Sequence, residues 1–101
     1  MDDLYLQFDQ VFFEKTRLSM ITLLYKEQNV SYNRFKKIIG GTDGAIYSHL
    51  KKLIQAGYIN KNKELIGEVA HTIYSLSDKG ETSFKNYLRF LENIISKYKK
   101  E

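Results

Sequence analysis

Apolar residues recur along most of this chain with a helical period of about 3.6 residues, and the pattern changes between residues 58 and 76. From Thr16, a candidate helix N-cap, to Gln28, the groups Leu18, Ile21 and Tyr25 form a stripe that Met20, Leu23 and Leu24 widen. A helix apolar over most of its circumference belongs at the centre of a core or against a partner. Asn29 and Val30 end it. Ser31 offers a second cap. Tyr32, Phe35, Ile38 and Ile39 follow at helical spacing, with Asn33, Arg34, Lys36 and Lys37 on the other face, until Gly40-Gly41 breaks the helix. Thr42 caps a third helix, with Asp43 in the first turn, where the macrodipole favours negative charge. Ile46, Leu50 and Leu53 make one buried stripe, and Gly57 supplies the stop.

From Tyr58 to Ile66 the pattern turns strand-like, and Gly67 marks a turn. His71 to Leu76 then alternates, with Thr72, Tyr74 and Leu76 on one face and His71, Ile73 and Ser75 on the other. This predicts a two-stranded hairpin with a loop near 66–70. Ser77 caps a last helix over about 77–100. Asp78 and Glu81 near its start, and Lys97, Lys99 and Lys100 near its end, oppose its dipole. Phe84, Leu88, Leu91, Ile95 and Tyr98 line one seam, broadened by Tyr87 and Ile94. A helix of about 20 residues is ~30 Å long. That exceeds what so small a domain needs, and the heptad spacing favours a partner helix. The Leu- and Phe-rich stretch 1–13 fits either a short strand or a helical arm.

The order is helix, helix, tight turn, helix, hairpin, long helix. It predicts a single domain over 1–101, mainly α with a small β-hairpin: a winged helix-turn-helix with a long C-terminal helix. In that architecture the third helix, about 42–56, locks one face onto the core and presents the other to a major groove. With Ile46, Leu50 and Leu53 inward, the outward face holds Asp43, Gly44, Tyr47, Ser48 and Lys51, with Lys52 on the flank and Thr42 at the cap. Gly44 would let the backbone approach DNA closely.

Charge sharpens this picture. The chain carries +4 over 101 residues, yet residues 31–63 hold Arg34, Lys36, Lys37, Lys51, Lys52, Lys61 and Lys63 against Asp43 alone, a net of +6. A positive face built from that third attracts a polyanion. Lysines also make ordinary solvated surface, but the helix context points Lys51 and Lys52 toward DNA. Tyr47 reads either as a contact to base or sugar or as a partly buried surface aromatic. Arg34, Lys36 and Lys37 read either as backbone clamps or as plain surface.

Other chemistries find no footing. The sequence has no Cys, which excludes disulfides, thiolate metal sites and a Cys nucleophile. His49, beside the core stripe, reads as a packed, hydrogen-bonded histidine. With His71 it falls short of the three or four ligands of a typical metal site. There is no Gly-rich phosphate loop, paired-carboxylate signal or Ser, His and acid arrangement, so neither enzyme activity nor a cofactor or metal is expected. The acidic Met1-Asp2-Asp3 start, with no apolar run near the ~18 residues of a membrane span, leads to the expectation of a cytoplasmic protein without a membrane partner.

The segment Thr42-Asp43-Gly44-Ala45-Ile46-Tyr47-Ser48-His49-Leu50-Lys51-Lys52-Leu53, followed by Ala56-Gly57-Tyr58-Ile59, resembles the recognition helix and first wing strand of small winged-helix regulators related to the MarR, ArsR and PadR groups. Thr16-Arg17-Leu18 is similar to their first-helix opening. Tyr74-Ser75-Leu76-Ser77-Asp78-Lys79-Gly80 is similar to their junction of last strand and last helix. The resemblance covers about residues 12–95. It implies a homodimeric, double-stranded-DNA-binding regulator of transcription, with the seam Phe84 to Tyr98 as dimer interface. A small-molecule effector is compatible with it, and no residue specifies one. One departure stands out. Where many relatives carry Arg or Lys in the wing, this chain reads Ile66-Gly67-Glu68-Val69-Ala70-His71, a poor minor-groove probe. Lys61 and Lys63 on the preceding strand are expected to supply phosphate contacts instead. The competing reading is a winged helix used for protein contact in transcription or replication machinery.

Overall fold

A computed structural model describes residues 9–99. The proposed arm at 1–13 therefore lies mostly outside the described residues, as does Lys100. Helix α1 spans Lys15–Glu27, and its N-cap is Glu14 rather than Thr16. The Glu14 carboxylate accepts the Arg17 backbone N–H at 2.9 Å, and the same oxygen lies 3.7 Å from His49 Nδ1. The longer Glu14 side chain thus takes the place of a short cap residue, through a bond within the first turn. As the stripe predicts, α1 buries Met20, Ile21, Leu23 and Leu24.

Strand β1, Val30–Ser31, is not foreshadowed by the pattern. Two residues are too few to show alternation, and the strand exists because Val30 and Ser31 pair with Tyr74 and Ile73. Helix α2, Tyr32–Ile39, starts where Ser31 Oγ accepts the Arg34 N–H at 3.0 Å. It buries Phe35 and leaves Ile38 exposed. Gly40 and Gly41, both at positive φ, make the turn. Helix α3, Asp43–Gln55, is capped by Thr42 and buries Ile46, Leu50 and Leu53. It closes in a Schellman motif. Gly57 donates to the Ile54 carbonyl and Tyr58 to the Leu53 carbonyl, each at 2.9 Å.

Strands β2, Ile59–Ile66, and β3, Val69–Leu76, pair antiparallel with Ile66 opposite Val69. The wing loop is thus two residues, Gly67-Glu68, shorter than the 66–70 loop expected. Gly67 takes positive φ in the first central position, the pattern of a type II′ turn. The sheet order is β1-β3-β2. The middle position of β3 lets Ile73 and Tyr74, on opposite faces, both be buried. Helix α4, Asp78–Lys99, begins where Ser77 Oγ accepts the Gly80 N–H at 3.0 Å. The core between these layers holds Phe12, Met20, Ile21, Leu24, Phe35, Leu50, Tyr58, Tyr74 and Phe84. Among the described residues no helix is long and apolar enough to cross a membrane.

The close approach of α4 to the wing base rests on Gly80. A Cβ there would stand 2.1 Å from the Tyr58 carbonyl oxygen and 3.1 Å from its carbon, and this backbone cannot rotate away. Gly80→Ala is expected to cost about 1–3 kcal/mol through overpacking. At roughly 4–8 °C per kcal/mol, Tm measured by circular dichroism should fall clearly. A wild-type Tm would show that α4 can lift without strain.

Candidate nucleic-acid interface

The outward side of α3 follows from its inward stripe. With Ile46, Leu50 and Leu53 buried, Gly44, Tyr47, Ser48, Lys51 and Lys52 are exposed. Thr42 Oγ is engaged as the cap, accepting the Ala45 N–H at 3.1 Å. Lys51 and Lys61 converge on one shallow cleft between α3 and the wing, with Tyr47, Leu50, Ile54 and Tyr74. Lys63 lies two residues further along β2, on the same face as Lys61. Among the described residues, Lys37, Lys51, Lys52, Lys61 and Lys63 make no ion pair. Their charge is open to solvent or to a polyanion.

Three other predicted residues are committed within the fold. Arg34 makes a forked contact with Glu27, Nε to Oε1 at 3.2 Å and Nη2 to Oε2 at 2.6 Å. Lys36 Nζ pairs with Asp43 at 3.1 Å and donates to the Gly41 carbonyl at 2.8 Å. Asp43 also accepts a hydrogen bond from the Tyr32 hydroxyl. That bond and Lys36 hold the Asp43 carboxyl below its usual range. Burial, then Asp43, pushes the Tyr32 hydroxyl up to about 12. The one acidic group on this surface is thus neutralised by Lys36. The Tyr32 ring, in turn, stacks on Tyr47 with centroids 4.4 Å apart and planes 10° from parallel.

The residue missed by sequence reasoning is Arg17. It is 8% exposed, the only charged group buried among the described residues. Its Nε donates to the Val11 carbonyl at 2.7 Å, and Nη1 lies 2.9 Å from His49 Nδ1. Arginine has donors and no acceptor, so Nδ1 must accept and the ring proton sits on Nε2. His49 is the packed, hydrogen-bonded histidine expected. Burial pushes the Glu14 carboxyl up. The Arg17 N–H bond, with the Arg17 charge, outweighs it and holds that carboxyl below its usual range. The available signal was the spacing Arg17, Ile21, Leu24, which puts the guanidinium on the inward face of α1.

Further out, residues 60–70 of the hairpin are all exposed. Its tip is apolar, with Leu65 at 75% exposure beside Ile66 and Val69. His71 sits opposite Glu64. The α4 seam divides. Phe84 is buried against Tyr25 and Phe12, and Leu88 packs on the same core. Leu91 is half-buried, while Ile95 and Tyr98 are 55% and 72% exposed.

Comparison with known proteins follows this geometry. The family described as winged helix DNA-binding domain matches residues 16–95. An uncharacterised protein of Methanocaldococcus jannaschii is 33% identical over 79 residues, covering 78% of this chain and 86% of that protein. A transcriptional regulator homologue from Pyrococcus horikoshii shares the fold with a TM-score of 0.77 at 20% identity, covering 93% of each chain. Bacillus subtilis PadR, solved in complex with operator DNA, matches at TM-score 0.56 and 23% identity over 69% of this chain and 44% of that one. MarR- and ArsR-family regulators share the fold as well.

The Asp43 clamp makes a pH-dependent contribution. A carboxyl held below its ordinary value of 3.8 stabilises the fold above that value and loses the contribution as pH falls through the depressed one. Tyr32→Phe removes the leading donor, so Asp43 should titrate nearer its ordinary value in an NMR pH titration. The Tm difference between variant and wild type should shrink on going from about pH 7 to about pH 2. An unchanged Asp43 titration would show that the hydroxyl does not hold the carboxylate in solution.

Proposed function

The chain belongs to the winged helix DNA-binding domain family, and from that premise we propose that it is a sequence-specific transcriptional regulator that binds double-stranded DNA as a homodimer. The observation that carries this reading is the set of lysines on the exposed face of α3 and the adjoining wing strand that make no ion pair among the described residues, with the single acid of α3 neutralised from within. In this reading α3 enters the major groove. Gly44, Tyr47 and Ser48 approach base edges, and Lys51, Lys52, Lys61 and Lys63 meet phosphates. Arg34, Lys36 and Asp43 brace α2 against its neighbours so that α3 is presented in one pose. The whole of 1–101 acts as one domain in the cytoplasm. The helix at 77–100, with the arm at 1–13, supplies the dimer contact, chiefly through the outer half of the seam, since Phe12 and Phe84 are already covered by their own core. Two-fold symmetry then sets half-sites about 10 base pairs, or a multiple, apart in a rough inverted repeat. The apolar, cation-free wing tip favours one alternative, a protein-contact module. Failure to bind generic duplex at low salt would select it.

The charge reversal Lys51→Glu with Lys52→Glu is expected to abolish binding in an anisotropy titration while leaving Tm near wild type, because both side chains are exposed. If about six phosphates are contacted across the dimer, log affinity should fall with log salt at a slope near −5. Unchanged affinity of the double variant would remove α3 from the contact.

Dimerisation has its own test. Burying an Ile is worth about 1.5–3 kcal/mol, so Ile95→Glu should shift a dimer to a monomer. Light scattering after size exclusion should give twice the chain mass of 11.9 kDa for the wild type and once that mass for the variant. A wild-type monomer with full DNA affinity would overturn the homodimer.

A further inference from the structure

The exposed face of α3 carries small groups, cations and one large ring. That ring, Tyr47, is 51% exposed although it is stacked face to face on Tyr32. An aromatic that only covered the core would be turned in. This one is held out. Its pose is set in advance by a chain of contacts. Tyr32 is the first residue of α2, directly after the cap Ser31, whose backbone is paired to Ile73. The Tyr32 hydroxyl is tied to Asp43 Oδ1 in the first turn of α3, and Lys36 pairs with the same oxygen. Tyr47 therefore gives up little side-chain freedom when something docks on it. The ring makes no hydrogen bond within the described residues, and one of its faces is taken by Tyr32. What it offers is a rigid, uncharged edge and face, flanked by Lys51 and Lys61.

Among the edges that a major groove presents, one feature is apolar: the C5-methyl group of thymine. The other positions present hydrogen-bond donors and acceptors, which the ring carbons do not satisfy; a polar contact could come only from the Tyr47 hydroxyl, and Tyr47→Phe separates that contact from the ring's. We propose that Tyr47 is a specificity-determining residue that reads a thymine C5-methyl group at one position of each half-site, with Tyr32 and Asp43 as the positioning residues that hold its ring. The proposal rests on the reading of α3 as a major-groove helix. It adds which base is read there and by what contact. The flanking lysines supply sequence-independent attraction, and the stacked pair supplies the discrimination.

Deoxyuridine differs from thymidine by this methyl group alone, so the test needs no change in the protein. Duplexes bound by the full chain are selected from a random library. Each thymine of the selected site is then replaced in turn by deoxyuridine, and affinities are measured by anisotropy. At one position per half-site the loss should be about fourfold, the worth of one buried methyl-sized group. Replacing that thymine by 5-methylcytosine should weaken binding less than replacing it by cytosine. Tyr47→Ala should bind the thymine and deoxyuridine duplexes equally, and Tyr47→Phe, which keeps the ring, should restore the difference. Tyr32→Ala should reduce the ratio of thymine to deoxyuridine affinity measured on the same variant, a ratio in which any general loss from releasing the clamp on Asp43 cancels. Equal affinity for every thymine and deoxyuridine pair would overturn the methyl reading and leave DNA binding standing. Recovery of no bound duplex at all would overturn both.

Discussion

Arg17 carries a charge into the interior, and the arrangement of its neighbours follows from what that charge requires. A buried guanidinium is tolerated when its donors are met and is strongly destabilising when they are not. Its donors are met by Val11 from the segment before α1 and by His49 from α3, with Glu14 nearby as counter-charge. The chain around the start of α1 and, 32 residues further on, α3 are thereby pinned to one point. The pin lies on the flank of α3 away from the wing, so it sets the rotation of that helix without occupying its outward face. It also dictates a histidine tautomer.

On the opposite flank, a second polar assembly does the complementary job. Tyr32, Asp43 and Lys36 tie α2 to the start of α3 across the Gly40-Gly41 turn. Two glycines at positive φ make that turn possible but leave it conformationally free, and the clamp removes the freedom. The charges of the basic third thus divide into two groups by partner. Arg34 and Lys36 hold the helix-turn-helix together. Lys37, Lys51, Lys52, Lys61 and Lys63 remain unpaired among the described residues and define the positive surface. A net charge counted along the sequence does not distinguish these roles.

The long helix α4 shows a related division. Its first half belongs to the domain: Ser77 ties it to the Gly57 carbonyl and Phe84 completes the aromatic cluster with Phe12, Tyr25 and Tyr87. Its second half extends beyond that cluster and leaves Ile94, Ile95 and Tyr98 exposed. One continuous heptad stripe is therefore core at one end and uncovered at the other. The apolar wing tip at Leu65, Ile66 and Val69 is another uncovered surface, and it departs from the basic wing that the family resemblance would suggest.

The sequence by itself determined the order of elements, the caps at Ser31, Thr42 and Ser77, the Ile46, Leu50 and Leu53 stripe and the stop at Gly57. Each depends on residues within about one or two helical turns, where period and capping chemistry act directly. Membership of the winged-helix family was legible for the same reason, because its recognition helix and strand-to-helix junction are local strings. Only the tertiary structure decided the strand Val30–Ser31, the two-residue wing turn, the engagement of Arg34, Lys36 and Asp43, and the point along α4 where core gives way to open surface. Those outcomes are choices among partners that lie on different elements. A guanidinium, carboxylate or phenol in a linear string has many candidate partners, and only packing of the elements brings one of them within hydrogen-bonding distance.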